Sequence, residues 1–324
     1  MLIACGLLLL GVVLLVVGAD WLVKGAVAIA SRAGVSPAVV GLTIVAAGTS
    51  TPELVVSVSS ALKGSSGLAI GNVVGSNIFN IAAILGLCAL VRPLSVPADS
   101  VRLEWPVMML TSVLMYLLSR DGSLDALEGV FFLVLMVSFT GYMVWASRRS
   151  SAISEVGQHV SAEETAAPVP TMIAGIGWTV LGVAVLVGGA EALVRGAVEL
   201  ARGAGISETI IGLTVVAAGT SLPELATSLV ASYRGKDDIA ITNVIGSNIF
   251  NILFILGVTG AIAPLPVSAE ILDRDTLWMM FTAALLLPLM RTGMRITRGE
   301  GAFLLAVFLG YLWVLAQAAM AGAS

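Results

Sequence analysis

The chain has 324 residues, of which 58% are hydrophobic and 11% charged, with a formal net charge of −4 and a mean hydropathy of +1.04. A soluble domain carries roughly a quarter charged residues, so a soluble fold is excluded. The charges instead fall in short islands between apolar stretches of about 20 residues, the length that crosses a bilayer as helix.

In chain order the pattern predicts an all-α integral membrane protein with ten spans, at roughly 2–30, 38–62, 68–91, 103–119, 124–146, 172–200, 209–233, 238–262, 274–291 and 301–320. The segment Leu2-Ile3-Ala4-Cys5 resembles a lipoprotein cleavage box, but nothing basic or apolar precedes it. The apolar run continues to Val23, too long for a signal peptide core, and reads as the first membrane helix. Cys5 and Cys88 lie far apart in apolar runs and suggest neither a disulfide framework nor a thiolate metal site. Between the fifth and sixth spans lies the one polar stretch, Ser147 to Pro170, with Arg148, Arg149, Glu155, Glu163, Glu164 and Pro168. It reads as a flexible linker, too short for a folded domain, and His159 within it as a solvated loop residue. The expected organisation is a first five-helix repeat, 1–146, a linker, 147–170, and a second five-helix repeat, 171–324.

With the N-terminus outside, the inner ends and loops collect Lys24, Arg32, Arg92, Arg102, Arg148, Arg149, Arg234, Lys236, Arg291, Arg295 and Arg298. The outer side keeps Lys63, Arg120, Arg195, Arg202 and Arg274. This positive-inside bias predicts a multi-pass protein of the plasma (inner) membrane with a cytoplasmic linker. Asp20–Lys24 and Glu191–Arg195 have i, i+4 spacing and read as local ion pairs. Arg291, Arg295 and Arg298 read as an inner anchor.

A shift of 171 residues superposes the halves. Gly41-Leu-Thr-Ile-Val-Ala-Ala-Gly-Thr-Ser-Thr-Pro-Glu53 falls on Gly212-Leu-Thr-Val-Val-Ala-Ala-Gly-Thr-Ser-Leu-Pro-Glu224, identical at eleven of thirteen positions. Gly71-Asn-Val-Val-Gly-Ser-Asn-Ile-Phe-Asn80 falls on Thr242-Asn-Val-Ile-Gly-Ser-Asn-Ile-Phe-Asn251, identical at eight of ten. An odd number of spans per copy inverts the second copy, an architecture that places a transport site near the midplane between the copies.

Glu53 and Glu224 fall mid-span, where a charge costs about 2.5–3.5 kcal/mol on insertion scales and faces the bundle interior by default. Neither has a Lys or Arg within helical reach, so a bound cation is the natural counter-charge. Pro52 and Pro223 lack the N–H that would bond Gly48 and Gly219. The broken turns are expected to expose carbonyls around Ala46-Ala47 and Ala217-Ala218. Thr49, Glu53 and Ser57 share one helical face, as do Thr220, Glu224 and Ser228, with Ser50 and Ser221 close by. Asn72, Ser76 and Asn80 form a polar stripe, repeated by Asn243, Ser247 and Asn251. Ser76, Asn80, Ser247 and Asn251 read as ion ligands, whereas Asn72, Asn77, Asn243 and Asn248 read equally as ligands or as hydrogen-bonding glue between helices. Gly71 and Gly75, and Thr242 and Gly246, provide small surfaces for close helix approach.

This all-oxygen donor set disfavours zinc, copper and nickel and suits calcium, which takes six to eight oxygens in irregular geometry. Two carboxylates neutralise one Ca2+ or two Na+, so competition for the same oxygens gives exchange. No phosphate-binding loop motif occurs, so nucleotide-driven pumping is not expected. The partners expected are the lipid bilayer and inorganic cations, with no nucleic acid, nucleotide or cofactor, and the chain is expected to function as a monomer. A proton in place of sodium is the alternative, because two carboxylates in a dry site raise one another's proton affinity.

The paired Gly-Thr-Ser-x-Pro-Glu and Gly-Ser-Asn-Ile-Phe-Asn segments resemble the alpha repeats of the calcium/cation antiporter superfamily, in its compact prokaryotic sodium/calcium exchanger branch. The resemblance implies a ten-helix fold, an extracellular N-terminus, and alternating access by movement of the first helix of each repeat. By motif position it implies ligands at Glu53, Glu224, Thr49, Ser50, Thr220 and Ser221, the carbonyls of Ala46 and Ala217, and Ser76, Asn80, Ser247 and Asn251. Some relatives carry aspartate at the place of Asn251. The amide here argues against potassium co-transport and leaves the sodium count open.

Overall fold

The computed structural model describes residues 2–64, 67–157, 171–204 and 217–322. His159 and residues 212–216 of the second motif lie outside them. The helices are α1 (Leu2–Ala33), α2 (Pro37–Thr49), α3 (Thr51–Leu62), α4 (Gly67–Val91), α5 (Ser100–Asp121) and α6 (Ala126–Gly157). In the second half come α7 (Met172–Gly203), α8 (Leu222–Tyr233), α9 (Asp237–Ile262), α10 (Thr276–Arg291) and α11 (Arg298–Gly322). Among the described residues seven helices are long and apolar enough to cross a membrane by themselves, and α2 and α3 form an eighth span bent by 47°. The remaining two of the ten are α8, whose preceding residues fall largely outside the described ones, and α10. The latter is short because its span opens with the charged π-helical turn Ile271–Asp275.

The structure departs from the sequence reading at the linker. Helix α6 runs on to Gly157, eleven residues into the expected flexible segment. No glycine or proline interrupts the chain between Ser147 and Gly157, so nothing stops helix propagation there.

Burial separates a core from a periphery. In their most apolar windows α4 is 78% and α9 94% buried, against 28% for both α1 and α7. The two polar stripes therefore occupy the centre of the bundle. Each fifth helix packs on the other repeat: α6 lies along 251–262 of α9, and α11 along Leu85–Val91 of α4. Two short antiparallel clasps repeat this exchange, β1 (Leu94–Ser95) with β4 (Arg295–Ile296) and β2 (Ser123–Leu124) with β3 (Leu265–Pro266).

Helices α1 and α7 form a separate antiparallel pair at the edge. Gly11, Gly18 and Gly25 recur every seven residues, as do Gly175, Gly182 and Gly189, and the two rows face each other. A Cβ on Gly18 would lie 2.7 Å from the Leu186 backbone nitrogen, and one on Gly182 would lie 2.6 Å from that of Leu22. The backbones are in van der Waals contact, the packing that small residues permit where lipid removes the hydrophobic drive between helices.

Candidate cation-binding site

The site is built where the first turn of α3 meets that of α8, between α4 and α9. Ser50 and Ser221 interrupt their helices, with φ, ψ of −81°, 11° and −91°, 8°. Pro52 and Pro223 then occupy the first turn of the new helix, where a missing N–H leaves no bond unmade. The prolines thus begin helices rather than break them midway. Gly48 and Gly219 lie against Val183 and Val194 of α7.

Both carboxylates are fully buried, and among the described residues neither has an ion-pair partner. Each is held by the other repeat: Ser50 Oγ donates to Glu224 Oε1 at 2.7 Å, and Ser221 Oγ to Glu53 Oε1 at 2.8 Å. Ser76 Oγ lies 3.2 Å from Ser221 Oγ. Thr49 donates within its own turn, to the Val45 carbonyl at 3.1 Å.

The asparagines are sorted by a second reciprocal exchange. Asn80 Nδ2 donates to Asn248 Oδ1 at 3.1 Å, and Asn251 Nδ2 to Asn77 Oδ1 at 3.0 Å. Asn77 and Asn248 also bond each other's backbone carbonyls, at 3.3 and 3.4 Å. Asn72 and Asn243 brace the helix of the carboxylate, donating to Ser57 Oγ at 3.1 Å and Ser228 Oγ at 3.0 Å. Each of these four side-chain amides thus donates to a neighbouring helix. Because the Asn80 and Asn251 nitrogens are tied back, their oxygens are left over.

The leftover oxygens are the main feature of the site. Glu53 Oε2, Glu224 Oε2, Asn80 Oδ1, Asn251 Oδ1, Thr220 Oγ1 and Ser247 Oγ are all sealed from solvent and have no hydrogen-bond partner. Such groups cost on the order of 1–3 kcal/mol each, more when charged, so a cluster of acceptors calls for a cation. The donor set fits a hard, oxygen-seeking ion. The Ala46 carbonyl already accepts from Ser50 N at 3.0 Å and lies 3.2 Å from Thr49 Oγ1. Ala217 lies in the helical turn Ala217–Gly219.

Of the small residues flagged for close approach, Gly246 and Thr242 meet α2, with Leu42 and Gly41 respectively. A Cβ on Gly71 would meet nothing nearer than Ile271 at 3.8 Å, and one on Gly75 nothing within 4 Å, so neither glycine is needed for close approach among the described residues. The sequence reading missed the ion pair of Asp20 with Arg234, the residue that caps the C-terminus of α8, which adds to the local Asp20–Lys24 pair at 2.9 Å. The 171-residue shift carried a signal for it, since Arg234 falls on Lys63 as Glu191 falls on Asp20.

Inverted repeats crossing at a buried, oxygen-lined carboxylate pair define a secondary transporter of cations, an antiporter and not an enzyme. The family model described as "Sodium/calcium exchanger protein" matches residues 3–145 and 174–317, and the chain belongs to that family. The chain is 44% identical to the putative antiporter CaxA of Alkalimonas amylolytica over 97% of this chain and 99% of that protein. It is 35% identical to the sodium/calcium exchanger MaX1 of Methanosarcina acetivorans, over 95% and 97%. Among solved structures, the sodium-calcium exchanger NCX_Mj soaked without sodium or calcium matches with a TM-score of 0.81 at 31% identity, over 98% of this chain and 99% of that one.

Proposed function

We propose that this antiporter exchanges Ca2+ for Na+ at the site centred on Glu53 and Glu224, using Thr49, Ser50, Ser76, Asn80, Thr220, Ser221, Ser247 and Asn251, with the carbonyls of Ala46 and Ala217 as outer ligands. The observation that carries the reading is the set of buried, unpartnered oxygens around two carboxylates without a basic partner. Calcium satisfies such a set with one ion, and two sodium ions do so with the same charge. Exchange follows because neither ion leaves the carboxylates uncompensated, which would cost several kcal/mol.

The supporting observation for alternating access is an imbalance between the repeats. Helix α1 packs along α8 and is tied to it by Asp20–Arg234. Among the described residues α7 makes no comparable packing along α3, and Glu191 pairs with Arg195 of its own helix at 2.5 Å. Movement of the α1–α7 pair exchanges these two arrangements. In this reading the chain works as a monomer in the plasma (inner) membrane, with its N-terminus outside and the linker in the cytoplasm.

A proton/calcium antiporter is the second reading, favoured by the burial of two carboxylates that hydroxyls alone hold. Calcium uptake into proteoliposomes separates the two. Uptake is expected to require internal sodium and to vanish, by roughly a hundredfold or more, in Glu53→Gln and in Glu224→Gln. Uptake driven by a pH gradient in sodium-free vesicles would replace sodium with the proton, and absence of calcium flux under every gradient would overturn both.

A further inference from the structure

Glu104, at the start of α5, is 1% exposed. Ser100 Oγ donates to its Oε2 at 2.6 Å, while Oε1 is sealed from solvent without a partner. Beside it lies a cavity of about 260 Å³, lined among others by Asp99, Ser36, Tyr142 and Ser147. The bond from Ser36 N to Ser147 Oγ at 2.8 Å places this cavity between the start of α2 and α6, ten residues before α6 ends at Gly157.

The other repeat shows what such a carboxylate ordinarily needs. The 171-residue shift puts Glu104 on Asp275, Leu103 on Arg274 and Thr140 on Tyr311. Asp275 is held on both oxygens by Arg274, at 2.8 and 2.9 Å, and Tyr311 lies 3.4 Å away. At Glu104 the arginine is a leucine and the tyrosine a threonine. Among the described residues no Lys or Arg forms an ion pair with Glu104. Arg148 and Arg149 line a separate surface recess.

We propose that this cavity is a second cation site, taking a hard divalent ion such as calcium on Glu104 and Asp99, with hydroxyl and water oxygens completing its shell. Two carboxylates match a double positive charge, and among the described lining residues there is no thiol or imidazole, the Met143 thioether being the one sulfur. None of its residues holds Glu53 or Glu224, so the site binds its ion separately from the exchange site.

The test uses the full chain carrying Glu53→Gln and Glu224→Gln, with equilibrium binding of radioactive calcium in detergent. One saturable site per chain is expected to remain. Adding Glu104→Gln is expected to weaken it by about tenfold or more. Leu103→Arg, which keeps the carboxylate but rebuilds the Arg274–Asp275 arrangement, is expected to abolish it. Terbium, a luminescent stand-in excited through Tyr142, should give a signal lost in the same two variants. Leu103→Arg in the otherwise unaltered chain is expected to retain exchange, which verifies the fold. Loss of all calcium binding once the central carboxylates are gone, or residual binding indifferent to Glu104→Gln and Leu103→Arg, would overturn the proposal.

Discussion

At the centre of the bundle the two repeats behave as near-copies, and at its edge they do not. Ser50 and Ser221 each reach across to the opposite glutamate, at 2.7 and 2.8 Å. Asn80 and Asn251 are each tied back by the opposite repeat, at 3.1 and 3.0 Å. At the periphery, Asp20 meets Arg234 but Glu191 turns to its own helix, and Asp275 has an arginine where Glu104 has none. The centre offers one free carboxylate oxygen and one free amide oxygen from each repeat, with the Thr220 and Ser247 hydroxyls added by the second. An asymmetric edge is what one conformation of an inverted-repeat transporter requires, since two identical edges would open both sides at once.

The largest effect is expected where the pairing of α1 with α7 is attacked. Gly18→Leu and Gly182→Leu place a side chain against backbone atoms of the facing helix and should abolish the folded chain. Thermal unfolding in detergent measures this. Gly6→Leu and Gly177→Leu, where a Cβ meets nothing within 4 Å, should be silent. Equal damage at all four would show that the ladder is not the contact that holds the pair.

An intermediate effect tests the symmetric centre. Ser50→Ala and Ser221→Ala each remove one hydrogen bond to a charged group, worth about 1.5–3 kcal/mol, or roughly tenfold to a hundredfold. Both should raise the calcium concentration needed for half-maximal uptake by similar factors. A large effect from one and none from the other would show that the ion sits nearer one repeat.

The smallest effect tests the edge. Partly exposed ion pairs contribute about 0.2–1 kcal/mol, so Arg234→Ala should shift the access equilibrium by roughly two- to fivefold. The readout is labelling by an impermeant thiol reagent, applied from the linker side, of a cysteine placed at Ser232 in a Cys5→Ala chain. Labelling should rise in Arg234→Ala and should not rise in Lys63→Ala, because Lys63 has no ion pair among the described residues. Equal responses would mean that the imbalance does not set which side opens.

The amino-acid sequence by itself determined the membrane class, the inverted duplication and the two central carboxylates. These are local properties: apolar length, odd span number, and the cost of a charge inside an apolar stretch can all be read along one chain. It also singled out Asn80 and Asn251, whose helical spacing aligns them with Ser76 and Ser247. Only the tertiary structure decided which asparagine oxygens are left without a hydrogen-bond partner and which amides brace neighbouring helices. That choice depends on whether an amide nitrogen finds an acceptor on the other repeat, as Asn80 does at Asn248 and Asn251 at Asn77. Likewise the facing glycine rows, the Asp20–Arg234 pair and the buried Glu104 oxygen without a partner became visible only once distant helices were set side by side. Helical periodicity fixes which face a residue occupies, but the partner across that face comes from another part of the chain.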